Sequence, residues 1–208
     1  IPKWWSWDAF MRTDYRRELA LDIGTWNAGG ALYPDWKERN FRIEPIWRPN
    51  DHFRISHVYS HQDKFNERGW SALVDSLPSG AALGETQSLW AKRNNYSRTH
   101  VLNASYVLDN RKGITFRLRH YWSRVENGEF YFLDDNGLLE PTDEITLDDD
   151  GSSSYDISYN AWSIDCVFRW IFAPGSEVSV VWKNLLESQG DMLPNTYADN
   201  LEEVLRVP

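Results

Sequence analysis

The residues best suited to chemistry are acids and histidines. Asp134-Asp135 and Asp148-Asp149-Asp150 place carboxylates side by side. Paired carboxylates carry out glycoside hydrolysis, and grouped carboxylate oxygens hold Ca²⁺. Runs of loop acids are, however, the ordinary form of a solvated surface. The run Asp148, Asp149, Asp150, Gly151 also lacks the remaining positions of a calcium-binding EF-hand loop, so it is a weak calcium candidate only. His57, His61, His100 and His120 are scattered over predicted strands. His120, Asp165 and Ser163 have the residue types of a nucleophilic triad, but alternation puts His120 on an apolar face and Asp165 opposite an apolar row. A triad is defined by geometry rather than by residue types. No cysteine–histidine spacing suits zinc. The lone Cys166 has no partner for an internal disulfide; it falls on an apolar face, as packing or lipid contact. The residues themselves therefore predict no catalytic group, no cofactor and no established metal site.

The elements that would position any site are strands. The clearest is the hairpin from Ala161 to Asn184. Trp162, Ile164, Cys166, Phe168, Trp170 and Phe172 share one face, and Ser163, Asp165, Val167, Arg169 and Ile171 the other, a period of two. Ala173-Pro174-Gly175 makes the turn, because proline lacks an N–H and glycine tolerates positive φ. Trp162 and Trp170 lie roughly 26 Å apart along the strand at ~3.3 Å per residue. A tilt of about 40° leaves about 20 Å of height, near the ~25 Å apolar band of a membrane barrel.

Tryptophan is the compositional anomaly, 12 of 208 residues, with 10 tyrosines and 9 phenylalanines. Amphipathic aromatics suit membrane interfaces, sugar platforms and protein interfaces. The Trp4, Trp5, Trp7 and Phe10 cluster is expected at a barrel rim, in a small core or under a sugar ring. Charged residues make up 25% and no apolar run approaches the ~18 residues of a transmembrane helix, which does not bear on barrel strands. A net charge of −9 argues against nucleic acid, which needs a basic footprint. The chain begins Ile-Pro-Lys, without an initiator Met or a signal-peptide pattern, and reads as a fragment or processed piece of one barrel domain over residues 1–208.

In chain order, strands are predicted over 17–25, 38–47, 52–61, 69–75, 85–93, 98–108, 114–125 and the two arms of the hairpin. Residues 1–14 are left unassigned, 127–159 read as a long acidic loop, and 187–208 read as polar with a short helix over 199–205. About nine strands without crossover helices make an all-β antiparallel up-and-down meander, a transmembrane β-barrel or a large part of one. The short turns at 48–51, 109–113 and 173–175 fall at one end and the longest loops at the other, the asymmetry of outer-membrane barrels.

The strands also sort their side chains. Glu18, Asp22, Arg42, Glu44, Arg54, Arg117, Arg119, Asp165 and Arg169 lie opposite apolar rows and are the predicted lumen-facing residues. Ile114, Phe116, Leu118, Trp122, Trp162, Ile164, Phe168, Trp170 and Phe172 are the predicted lipid-facing residues. A soluble antiparallel sheet also has one wet face, so the alternative is a soluble β-sandwich that binds or hydrolyses glycans.

Several blocks resemble one family. They are Leu118-Arg119-His120-Tyr121-Trp122-Ser123, Tyr159-Asn160-Ala161-Trp162, Arg169 to Glu177 (RWIFAPGSE) and Val181-Trp182-Lys183-Asn184. Over residues 85–205 the chain is similar to the C-terminal region of the bacterial family with domain of unknown function 5916, which usually follows a carbohydrate-binding family 9-like module. The resemblance implies a Gram-negative outer-membrane β-barrel. Its members are often labelled hydrolases or carbohydrate-binding proteins, labels that belong to the module this chain lacks. It implies no catalytic residues here. The implied partners are outer-membrane lipid, further strands or chains that complete an odd-numbered sheet, and a polar solute such as a carbohydrate.

Overall fold

The computed structural model describes residues 3–30, 33–149, 151–190 and 197, with the side chains of 189 and 190 excepted. The expected 199–205 helix and Asp150 lie outside the described residues. The described elements are strands: β1 (Trp4–Arg12), β2 (Leu19–Gly30), β3 (Lys37–Asn50), β4 (Phe53–Ser76), β5 (Ala82–Asp109), β6 (Lys112–Leu133), β7 (Leu139–Thr142), β8 (Ile157–Ala173) and β9 (Ser176–Gly190). They form one antiparallel sheet in the order β1-β2-β3-β4-β5-β6-β8-β9, with β7 beside β6. The sheet is open: β1 pairs with β2 and β9 with β8, and neither edge meets the other. Among the described residues no second sheet packs on the first, so the sandwich alternative has no second layer.

The strand count agrees with the expectation, but its composition does not. β1 was left unassigned because Trp4, Trp5, Trp7 and Phe10 put aromatics on both faces and hide the alternation. β4 joins two predicted strands through Gln62–Glu67, and β5 joins two more through Asn94-Asn95. These polar stretches stay extended because strands on both sides satisfy their backbone groups, so pairing overrides local propensity. Where β4 leaves β3, the register slips between Lys64 and Glu67 and Asn66 takes φ 56°, a bulge that increases the local twist. The 127–159 stretch is a loop only in part. β6 continues to Leu133, turns through Asp135-Asn136-Gly137 and returns as β7.

Two pairs of predicted strands merged, so the end-to-end sorting of turns persists. The β3–β4, β5–β6 and β8–β9 connections are two residues each and share an end with the β1–β2 turn. The 31–36, 77–81 and 134–156 connections lie at the other. At that end β4, β5 and β6 outrun their neighbours. β5 has 28 residues, about 90 Å of chain, where a membrane crossing takes about 9–11 residues. The molecule thus has a wall, in which eight strands run side by side, and an overhang made of β4–β7.

The buried apolar cluster sits in the overhang: Val74, Leu89, Ala91, Phe130 and Ile145, with Leu77, Leu83, Phe132 and Tyr155 packed against it. Ile145 reaches it from the stretch read as an acidic loop. Asn127 ties the return of that stretch, its N–H donating to Asp156 Oδ1 at 2.7 Å and its amide to the Tyr155 carbonyl at 2.6 Å.

Candidate functional site

Residues paired across an antiparallel sheet share a face, so register decides which side chains meet. In the wall, Ser60, Thr99 and Tyr121 form one row, and Ser56, Asn103, Arg117 and Asp165 another. Arg54, Ser105, Thr115 and Val167 form a third, on the same face as Asp22, Arg42 and Glu44. Two depressions of about 490 Å³ each open on this polar face. One is lined by Asp8, Trp26, Asn40, Gln62, Thr99 and Tyr121 among others. The other is lined by Glu44, Arg54, Asn103, Ser105, Thr115 and Arg117, with Asp165 at its border.

Eight of the nine residues predicted for the lumen share this face. Asp22 and Glu44 are direct cross-strand neighbours of like charge, a destabilising pair by itself. Arg42 bonds Glu44 at 2.6 Å, and Arg12 approaches Asp22 at 3.7 Å. Arg119 bonds Asp165 at 2.8 Å, and Arg169 bonds Glu177 at 2.6 Å. These pairs are partly exposed, so each contributes about 0–1 kcal/mol and mainly orients its partners. Among the described residues Arg54 and Arg117 take no ion pair or side-chain hydrogen bond. The ninth, Glu18, sits in the β1–β2 turn and accepts from the Trp47 indole at 2.8 Å. In the same turn Tyr15 donates to Asp22, and that bond holds its phenol above its ordinary pKa.

The opposite face is aromatic and aliphatic. Ile114 pairs with Phe168, Phe116 with Cys166 and Leu118 with Ile164, so the predicted lipid-facing residues do share one side. Trp170, Phe172, Trp182 and Val180 stay between 41% and 58% exposed, a contiguous apolar patch at the sheet edge. The free Cys166 is half-buried there. Trp122 and Trp162 have a different setting. The scattered histidines come together on this face: His57 and His100 bond at 3.0 Å, and His120 stacks on Trp162 at 4.0 Å between ring centres. His120 donates to Asn160 Oδ1 at 2.8 Å. Tyr197 stacks over His100 and stands edge-on to Trp122, which is buried. Only the cross-strand register reveals this row. It also separates His120 from Asp165 and Ser163, which lie on the opposite face, so the triad does not form. His61 instead bonds Asp63.

Two of the loop acids, Asp134 and Asp148, shape turns. Asp134 accepts the N–H groups of Leu138 and Asn136 at 2.6 and 2.9 Å, and the Leu138 bond leads in holding its carboxyl below the ordinary carboxylate range. The main chain of Asp148 closes a turn with Gly151 and Ser152. Among the described residues no group of three or more histidines, cysteines or acids is placed to hold a metal ion.

The tryptophans of β1 are 50–64% exposed and belong to an edge strand, so they do not fill a core. Trp5 lies flat over Gly29, where a Cβ would stand 2.7 Å from the ring. A glycine at that position gives the indole a flat backbone to cover.

An open antiparallel sheet with charges and hollows on one face defines the class: an all-β up-and-down meander. A family model described as a domain of unknown function, DUF5916, matches residues 1–208, and the chain belongs to that family. The match includes the first 84 residues, which the quoted sequence blocks do not reach. No curated protein and no solved structure matches the chain.

Proposed function

We propose that this chain forms part of the wall of an outer-membrane β-barrel that handles polar solutes, carbohydrates among them. The observation that carries this reading is the separation of the two faces across the wall. From β3 to β8 charges of both signs and both hollows lie on one side, and Trp47, Tyr106, Ile114, Trp170 and Phe172 are exposed on the other. The edge strands β1 and β9 expose apolar side chains on both faces. Away from Trp122 and His120, which Tyr197 packs against, the exposed aromatic side has no partner among the described residues, and lipid favours such a face. The two-residue turns at one end and longer connections at the other fit the same picture, with short turns inward and loops outward. The free edges of β1 and β9 would pair with each other or with further strands, since an exposed edge invites pairing.

The test is fractionation of the full protein, followed by a gel of the outer-membrane fraction with and without boiling. A band that shifts on boiling marks a closed membrane barrel. A protein that stays in the soluble fraction and shows no shift removes the reading.

A further inference from the structure

We infer that the wall carries an oxyanion-binding subsite between Arg54 and Arg117. Its biological use rests on the proposed solute-handling role of this face, whereas the binding itself does not. The two arginines lie on β4 and β6, on either side of β5 and one row apart. Their strands are about 10 Å apart, a distance two long side chains close easily. Both reach the same 490 Å³ hollow, with the hydroxyls of Ser105 and Thr115 and the amide of Asn103 between them.

The decisive feature is how the neighbouring charges pair. Asp165 lies directly opposite Arg117 in register, yet its carboxylate bonds Arg119 at 2.8 Å. Glu44, on the same hollow, is taken by Arg42 at 2.6 Å. Both acids at the site are therefore engaged, and among the described residues the two arginines are left with no carboxylate. In a chain of net charge −9, two guanidinium groups kept free around one hollow are not a by-product of a generally basic surface. Their mutual repulsion is relieved by a bound anion. Guanidinium forks match the planar oxygens of a carboxylate or two oxygens of a phosphate. The hydroxyls and the amide supply further donors for the same ligand or for adjacent hydroxyl groups. The ligand class is a solute bearing a carboxylate or phosphate, such as an acidic sugar.

The test is calorimetric titration of the full-length protein at neutral pH with inorganic phosphate, D-glucuronate and D-glucose. The two anions are expected to bind saturably and to compete, and glucose is not. Binding of only one anion also supports the subsite and identifies the source of the oxyanion. Arg54→Gln with Arg117→Gln is expected to weaken binding about tenfold or more. Lys37→Gln with Arg39→Gln, the same loss of two charges at exposed positions on the opposite face of β3, is expected to change it by less than about twofold. Arg54→Lys with Arg117→Lys, which keeps charge but loses the fork, is expected to fall between. Circular dichroism of each variant checks the fold. No saturable anion binding, or equal binding by the wild-type and glutamine proteins, overturns the inference. Glucose binding as tight as glucuronate overturns it too. The boiling gel on the same preparation separates the two proposals. A shifting band without anion binding removes the subsite alone, and anion binding without a shift removes the barrel reading alone.

Discussion

The wall and the overhang use the same strands in opposite ways. Along β4, β5 and β6, the half nearer the two-residue turns leaves Ile114 and Tyr106 exposed on one face and charges on the other. The far half of the same strands buries Leu89, Ala91 and Phe130 completely or nearly so. The overhang thus has a dry centre of its own, closed by Ile145 and Tyr155, and its stability in water comes from burial in the ordinary way. On the wall's aromatic face Tyr197 packs against the buried His120 and Trp122, whereas Trp170, Phe172 and Trp182 stay exposed. A continuous strand can therefore serve two surroundings, and the bulges at Lys64/Glu67 and Ala91/Arg93 mark the change.

The strongest way to separate the two regions is to open the overhang's centre. Phe130 is 2% exposed and touches Tyr155 edge-on at 5.7 Å between ring centres. Phe130→Ala is expected to cost about 3–5 kcal/mol, lost burial plus the cavity left behind. The loss should stay local. Amide exchange is expected to speed up in β7 and the 134–156 connection, and protease cleavage there should follow, with amide exchange in the wall unchanged. If wall and overhang lost structure together, they would be one cooperative unit and the contrast would fail.

The converse change strikes the wall. Phe168, half-buried on the aromatic face, lies between Trp162 and Trp170 and pairs with Ile114. Phe168→Arg is expected to cost about 2–4 kcal/mol if this face meets the middle of a bilayer. Denaturant titration of the protein refolded into lipid vesicles reads this cost directly. A cost under ~0.5 kcal/mol, the range of ordinary surface substitutions, would show that the face does not meet lipid.

How much of this was legible differs from region to region. The faces and turn of the hairpin were readable, since strict alternation assigned both faces of β8 and Pro174-Gly175, with Gly175 at φ 75°, makes the turn, but β8 begins earlier, at Ile157, and β9 runs on to Gly190. β1 was not, because aromatics on both faces erase the period of two. The continuity of β4 and β5 was hidden because polar side chains within them suggested loops, and only neighbouring strands keep such stretches extended. β7 carried a hairpin signal, Asn136-Gly137 between apolar residues, that the surrounding acids obscured. The histidine row and the two unpaired arginines depend on register and on rotamer choice. Sequence places Arg117 and Arg119 alike, and only the side-chain geometry gives Asp165 to one of them.

The smallest expected effect concerns the ionic seam that joins the 31–36 connection to the overhang. Asp35 meets Arg68 at 3.0 Å and Lys92 at 3.2 Å, and Lys92 also meets Glu129. Burial works against the charge on Asp35, but the bonds from Arg68 and Lys92 outweigh it and hold the carboxyl below its ordinary value of 3.8. The Tyr131 hydroxyl, and after it Lys92, hold Glu129 low in the same sense. A carboxyl whose pKa is depressed on folding stabilises the folded state above its unfolded value, and that stabilisation is lost as pH falls through the folded value. The overhang is therefore expected to exchange its amides faster at pH 3 than at pH 6, beyond the intrinsic chemical change. Asp35→Asn is expected to remove part of that pH dependence, and Asp35→Asn with Glu129→Gln to remove more. Both effects should shrink in molar salt, because the seam is partly exposed. An Asp35→Asn protein whose overhang keeps the full wild-type pH dependence would show that the connection is held by the stacking of Arg68 on Tyr33, 4.6 Å from guanidinium to ring centre, and not by charge.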